Sequence, residues 1–300
     1  MAKIAVIGIC GNSVFMHTDH FHANGETVVA DSVLEEIGGK GFNQAVAAAR
    51  MGAEVSFLAA VGDDRDGQAC VQVAEEEGLK GCFCVKKGKR TTFAFILTDK
   101  HGENQVTVYR GAELTAADVM TFEQEIAASD ILLLQQEVPE AVNETAMQIA
   151  EKHGVKVILN PAPIREISDW MAEKVYIITP NEQEQQAIDA DRFQNVITTL
   201  GAKGCMIRER EESRTRKGEC FRDYKEAMIP AIETTAVDTT GAGDTFNGVL
   251  AVCLAEGMDL ITACKYAVTA SGISVSRKNV LNAIPYRVEI ERRKQQCFGP

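Results

Sequence analysis

The sequence predicts an α/β protein with a doubly wound, mainly parallel sheet, helices on both faces and a small β lid, and three observations carry that expectation. Residues 4–7 and 55–61 are apolar runs ended by Gly8 and by Gly62-Asp63-Asp64, as in buried parallel strands with functional loops at one end. Between them, alanine-rich residues 43–51 form a helix with Gly52 as its stop, completing a strand-helix-strand unit. The alternation then repeats to the C-terminus.

Helices are expected at 69–77, closed by Gly78, from Thr115, whose hydroxyl and Asp118 form a capping box, and at 139–153. Apolar runs at 131–134, 155–159, 175–179 and 196–200 read as further strands. Residues 243–256 and 260–276 read as two helices separated by Gly257.

Two stretches favour antiparallel pairing instead: residues 27–35, and residues 91–97 with 106–109 joined by a turn containing Gly102. The expected division is a small lid of residues 9–35 and 90–111 on a large unit of residues 1–8, 36–89 and 112–300. The densely charged, mixed-sign residues 208–217 read as a solvated loop or exposed hairpin.

With 45% hydrophobic and 25% charged residues over 300 positions, the chain has the balance of an ordinary soluble globular protein. A net charge of -12 argues against nucleic-acid or anionic-membrane partners, which need clustered cations. An anionic ligand would rely on backbone amides, a metal ion or a few lysines. Nine cysteines lack a zinc spacing, Cys82-Phe-Cys84 being the nearest approach. Their odd number fits reduced thiols. With no apolar stretch long enough to cross a bilayer, a cytoplasmic protein is expected.

The strongest chemical signal is Asp238-Thr-Thr-Gly-Ala-Gly-Asp244, where a strand gives way to a helix. Its glycines leave successive amides uncovered and the helix adds its positive end, which makes an anion site. Asp244 beside those amides is placed to take a proton from an attacking alcohol. The competing reading is a helix-capping carboxylate on a tight turn.

A second glycine-rich helix entry, Gly38-Gly39-Lys40-Gly41-Phe-Asn43-Gln-Ala45, allows close backbone approach to a ligand, with Asn43 able to grip hydroxyls. Such an entry also serves purely structural ends. In Thr179-Pro-Asn181-Glu-Gln-Glu184, Asn181 and Glu184 can face one site as oxygen ligands for magnesium, directly or through water, or Asn181 can simply cap the helix. Thr199-Leu-Gly201-Ala-Lys-Gly204 is a glycine loop suited to nucleotide phosphates, without Walker spacing. Gly8-Ile-Cys-Gly11-Asn12-Ser13 lacks the dinucleotide fingerprint, so a Rossmann dehydrogenase is disfavoured. The histidines of residues 17–22 are read as an exposed turn.

These motifs, in this order, resemble those of the ribokinase-like, or PfkB-type, carbohydrate kinases, through Gly38–Ala45 and Asp238–Asp244 above all. The resemblance implies ATP as co-substrate with Mg2+, a sugar-like acceptor, and a β lid that closes over the sugar and makes a homodimer contact. It implies Asp244 as base with Gly241, Ala242 and Gly243 as anion hole. Gly39, Lys40, Asn43 and Glu137 are implied as acceptor-site residues, Asn181 and Glu184 as the metal and phosphate motif, and Thr199 and Gly201 as the nucleotide loop.

Three departures stand out. Ser13 occupies the position of the family's sugar-gripping aspartate, with Asn12 beside it, and a hydroxyl cannot accept two hydroxyls as a carboxylate does. The connection between Glu184 and Val196 is short, so a peripheral helix is expected to be lost. The family's monovalent-cation site, K+ at Asp238 and Thr240, is completed by a loop that here has Asn279 for a glycine and Ala283 for a serine, which weakens the expectation of potassium activation. Two alternatives share the motifs: a nucleoside kinase using Phe15, Phe21, Phe93 or Phe95 to stack a base, and a non-catalytic sugar or nucleotide sensor.

Overall fold

The computed structural model describes residues 1–101, 103–211, 214–216, 219–221 and 224–299. In chain order the strands are β1 (Lys3–Ile7), β2 (Gly11–His17), β3 (Ser32–Gly38), β4 (Glu54–Gly62), β5 (Lys80–Lys86), β6 (Phe93–Thr98), β7 (Asn104–Tyr109), β8 (Ile131–Gln135), β9 (Lys156–Asn160), β10 (Ile177–Ile178), β11 (Asn195–Thr199), β12 (Cys205–Arg210), β13 (Arg214–Arg216), β14 (Glu219–Phe221) and β15 (Tyr224–Ile229). The helices are α1 (Lys40–Arg50), α2 (Arg65–Glu76), α3 (Ala116–Met120), α4 (Glu123–Ala127), α5 (Glu140–His153), α6 (Asp169–Lys174), α7 (Glu182–Gln186), α8 (Ala242–Ala255), α9 (Leu260–Ser274) and α10 (Arg287–Phe298).

Alternation within the central strands builds two cores, because successive side chains leave a sheet on opposite faces. Ile4, Val6 and Leu133 join α1, α8 and α9 on one face. Ala5, Ile7, Leu132 and Leu134 join α5 and α6 on the other. The nine-stranded sheet runs β15-β12-β11-β10-β9-β8-β1-β4-β5. It is parallel from β11 to β5, with β12 and β15 antiparallel at one edge.

A separate four-stranded sheet has the order β3-β2-β6-β7. Here β2 runs antiparallel to β3 and parallel to β6, and β6 and β7 form the expected hairpin.

Several boundaries differ from the sequence expectation. Residues 27–31 carry no strand, and β3 instead extends to Gly38, past the expected edge of the small unit. Strand β2 lies within residues 9–35, expected to belong to the small lid, where the sequence marked no strand before residue 27. The loop reading of residues 208–217 is corrected in part: Arg208, Glu209 and Arg210 lie in β12, where buried Cys205 and Ile207 supply the inward face. The short β13–β14 pair agrees with the hairpin alternative, while residues 212, 213 and 217 lie outside the described residues. Between Glu184 and Val196 there is only the end of α7 and a 3-10 turn at Ala190–Arg192.

Helices α1 and α8 cross closely at one point. A Cβ on Gly248 would lie 2.5 Å from the Gln44 carbonyl oxygen and 2.6 Å from the Ala47 Cβ, so only glycine permits the approach. One turn earlier on α8 stands Asp244, which the crossing sets against Asn43 and Gln44. Among the described residues no helix is long and apolar enough to cross a membrane.

Candidate active site

The sheet order reverses at β1, which is flanked by β4 and β8, and such switch points open a crevice beyond the carboxyl ends of the strands. Asp244 projects there from the first turn of α8, 6% exposed. Its Oδ2 accepts from Asn43 Nδ2 at 2.9 Å and its Oδ1 from Gln44 Nε2 at 3.0 Å. Gln44 is itself fixed: its Oε1 accepts from Gln135 Nε2 at 2.7 Å, and its Nε2 reaches Asn160 Oδ1 at 3.3 Å. Asn160 Nδ2 donates to the Thr179 carbonyl at 3.2 Å, Thr179 Oγ1 to Asn247 Oδ1 at 2.6 Å, and Asn247 Nδ2 to the Gly243 carbonyl at 2.8 Å. The buried amides thus run from the base of α1 across three strand ends to α8.

Gly241, in the left-handed conformation at φ 74°, caps α8. The Ala242 amide donates weakly to the Thr239 carbonyl at 3.3 Å, while the amides of Gly241, Gly243 and Asp244 have no acceptor among the described residues. These orphan donors and the helix dipole make an anion cradle beside the carboxylate.

A cleft between the two sheets is lined by Gly8, Ile9, Val108, Arg110 and Glu137, among others. Glu137 Oε2 accepts the Lys40 amide at 2.9 Å. Burial pushes the Glu137 carboxyl up to about 7, against the pull of Lys40. The Lys40 ammonium is held above its ordinary range by Asp244 first, with Glu137 and Glu184 adding to this and partial burial opposing it.

Gly39 opens α1 at φ 116°. Beside Gly38, Asn43 Oδ1 and Ser13 Oγ both lie 3.6 Å from the point a Cβ would occupy, and Asn43 Oδ1 is buried without a partner. The two oxygens face one small space. Asn12 does not stand beside Ser13 as a second grip, because successive strand residues face opposite ways. Its Nδ2 is spent on Glu35 at 3.3 Å and Asp66 at 3.4 Å.

On the other side of Asp244, Asn181 and Glu184 form a complete capping box. Asn181 Oδ1 accepts the amides of Gln183 and Glu184 at 2.9 and 2.8 Å, and Glu184 Oε2 accepts the Asn181 amide at 2.9 Å. Among the described residues Glu184 Oε1 has no hydrogen-bond partner, which suits a magnesium ion that keeps most of its waters. Thr199 lies beside Asn181 in a single parallel bridge, followed by Gly201 at φ 53°. Gly204 answers to packing, since a Cβ there would lie 2.0 Å from the Ile229 carbonyl oxygen.

The monovalent-cation set fits poorly. Asp238 Oδ1 accepts the Thr240 amide at 2.9 Å, Ala283 offers no hydroxyl, and the Leu281 and Ile284 carbonyls are taken by Arg50 at 2.6 and 2.8 Å.

Residues 1–287 match the pfkB family of carbohydrate kinases. The chain belongs to this family. A ribokinase from Haemophilus influenzae is 36% identical over 307 residues, covering 95% of this chain and 96% of that protein. A ribokinase structure from Thermotoga maritima superposes with a TM-score of 0.84 at 30% identity, covering 98% and 99% of the two chains. An Arabidopsis thaliana ribokinase complexed with ribose and ATP gives a TM-score of 0.81 at 25% identity, with 98% and 99% covered. The protein is an ATP-dependent carbohydrate kinase of ribokinase-like fold.

Sequence reasoning passed over several residues of this pfkB kinase's site. Gln44 and Gln135 were hidden inside an alanine-rich helix and at the end of an apolar strand. The available signal was the pair Gln135-Gln136 closing a run of otherwise apolar residues, both buried here, where a polar side chain needs a partner.

Proposed function

We propose that the chain phosphorylates a hydroxyl of a small sugar or sugar-like acceptor, with Asp244 as general base. The observation that carries this reading is the setting of Asp244, buried, gripped on each oxygen by one side-chain amide, and adjacent to free backbone amides. Each carboxylate oxygen keeps a second acceptor position. The acceptor hydroxyl gives its proton to that carboxylate as its oxygen bonds the γ-phosphorus and the bond to the bridging oxygen of ADP breaks. The amides of Gly241, Gly243 and Asp244 face the charge on the transferring group.

ATP lies over the Thr199 and Gly201 loop, and Asn181 and Glu184 would hold magnesium, directly or through water, which would neutralise charge on the phosphates. The acceptor occupies the cleft toward Asn43, Ser13 and Glu137. The four-stranded sheet covers it as a lid and keeps water from competing for the phosphoryl group. The same sheet is the contact of a homodimer through the face opposite Ser13, where Val33, Phe95 and Tyr109 are between 43% and 64% exposed.

Ribose is the first acceptor to test, given the ribokinase relatives. The nucleoside reading retains one candidate for stacking a base. Phe93 and Phe95 contact each other at 5.5 Å between ring centroids, and Phe93 stacks on Tyr109 at 5.1 Å. Phe15 alone shares the face of Ser13, two residues along β2.

An ATP-consumption assay over free sugars and nucleosides, run on the parent and Asp244→Asn, tests the reading. The variant is expected to lose at least about a hundredfold in kcat on the best acceptor. A loss of less than about tenfold overturns the base assignment.

A further inference from the structure

The segment after α9 is pressed against the glycine cradle from behind. The Val237 and Asp238 amides donate to the Val275 carbonyl at 2.7 and 3.2 Å. Val280 Cγ1 lies 2.5 Å from the point a Cβ on Gly241 would occupy, so this side chain sets how far back Gly241 can move.

Two charged side chains hold that segment from opposite sides. Arg50 Nη1 takes the Leu281 and Ile284 carbonyls, and Arg50 is itself anchored on Glu77 at 2.9 and 2.5 Å. Glu36 takes the amides: its Oε2 accepts from Val280 at 3.0 Å and its Oε1 from Leu281 at 2.9 Å. Both oxygens of one carboxylate are thus committed to successive backbone donors 244 and 245 residues away in sequence. Asn279, at φ 70°, makes the turn that presents them.

The two anchors differ in what they belong to. Arg50 ends α1, part of the large unit, whereas Glu36 lies on β3 of the four-stranded sheet, directly across from Ser13 on β2. Sheet, Glu36, Val280 and Gly241 therefore form one mechanical chain from the acceptor cover to the anion cradle.

We propose that Glu36 is a positioning residue that couples the seating of the four-stranded sheet to the placement of Gly241 in the anion cradle. The inference rests on reading residues 241–244 as the cradle for the transferring phosphoryl group. A sheet that is not seated releases Val280, and the glycine turn loses its backstop.

The test uses the full-length protein with Glu36→Ala, which removes both acceptors, and Glu36→Gln, which keeps one. Hydrogen exchange is followed over residues 239–246 and 277–284, and calorimetry compares binding of Mg·ADP with that of Mg·ADP and aluminium fluoride in the presence of D-ribose. With Glu36→Ala, exchange should rise in both segments and affinity for the fluoride complex should fall about tenfold, as expected for a misplaced reaction centre. Mg·ADP affinity should stay within about twofold, and Glu36→Gln should fall between the two.

A rise confined to 277–284, or equal losses for the two ligands, overturns the coupling. If the parent itself does not prefer the fluoride complex, the reading of residues 241–244 as the phosphoryl cradle fails, and the exchange pattern still decides the mechanical link. Should Glu36→Ala not fold, the same two readouts on Glu36→Gln carry the decision.

Discussion

Gln44 Nε2 donates to Asp244 Oδ1 at 3.0 Å while Gln44 Oε1 accepts from Gln135 Nε2 at 2.7 Å, so one buried amide joins the carboxylate to the central sheet. Replacing it by Gln44→Leu keeps the volume and removes both bonds together with the one to Asn160. The expected outcome is a kcat lowered about tenfold with the acceptor KM within about threefold, together with about 1–3 kcal/mol of stability lost in urea unfolding as Gln135 is left unpaired. A change in stability alone, with kcat unmoved, would assign Gln44 to the fold only.

Glu137 supplies a pH dependence of known sign. Burial raises its pKa from an ordinary 4.5 to about 7, so the folded protein binds more protons than the unfolded chain between those values. Stability from this group is therefore fully present below about 4.5 and lost as pH rises to about 7. Urea unfolding of Glu137→Gln should show a stability advantage over the parent that appears across this window. Acceptor KM should fall in the parent as pH passes about 7 and the carboxylate forms, and should be flat in the variant.

The α1 and α8 crossing tolerates no side chain at Gly248. Gly248→Ala drives a methyl into the Gln44 carbonyl and the Ala47 Cβ at 2.5 and 2.6 Å. Overpacking of this kind costs about 1–3 kcal/mol, read by urea unfolding. Because Asp244 sits one turn away, kcat should fall along with stability, unlike at a core position remote from the site.

Val33 and Phe95 share one face of the four-stranded sheet, since their register partners Met16 and Val14 lie two residues apart on β2. The double substitution Val33→Glu with Phe95→Glu should convert the proposed dimer to a monomer in sedimentation velocity at micromolar concentration. Charges buried across such a contact have no partners. An unchanged sedimentation coefficient would remove this face from the interface.

The parallel sheet, the two glycine-rich helix entries and Asp244 were legible because each is a local pattern: apolar runs of strand length, glycines where a helix begins, a carboxylate in its first turn. Strand β12, paired between β11 and β15, was less so, since Arg208, Glu209 and Arg210 mask the alternation of Cys205 and Ile207. Periodicity shows which residues can face inward; it does not tell which partner they meet.

That second matter was decided by tertiary structure. Asn12 and Ser13 are adjacent in sequence and the pleat turns them to opposite faces, so Asn12 serves Glu35 and Asp66 while Ser13 approaches Gly38, as Asn43 does. Gln44 and Asp244 are 200 residues apart, and Glu36 and Val280 are 244 apart. Their bonds exist because close packing brings α1 onto α8 and seats β3 against the loop after α9, where a buried polar group is costly unless it finds a partner. The sequence by itself therefore determined the fold class and singled out Asp244, and the packing of distant elements determined what holds that residue in place.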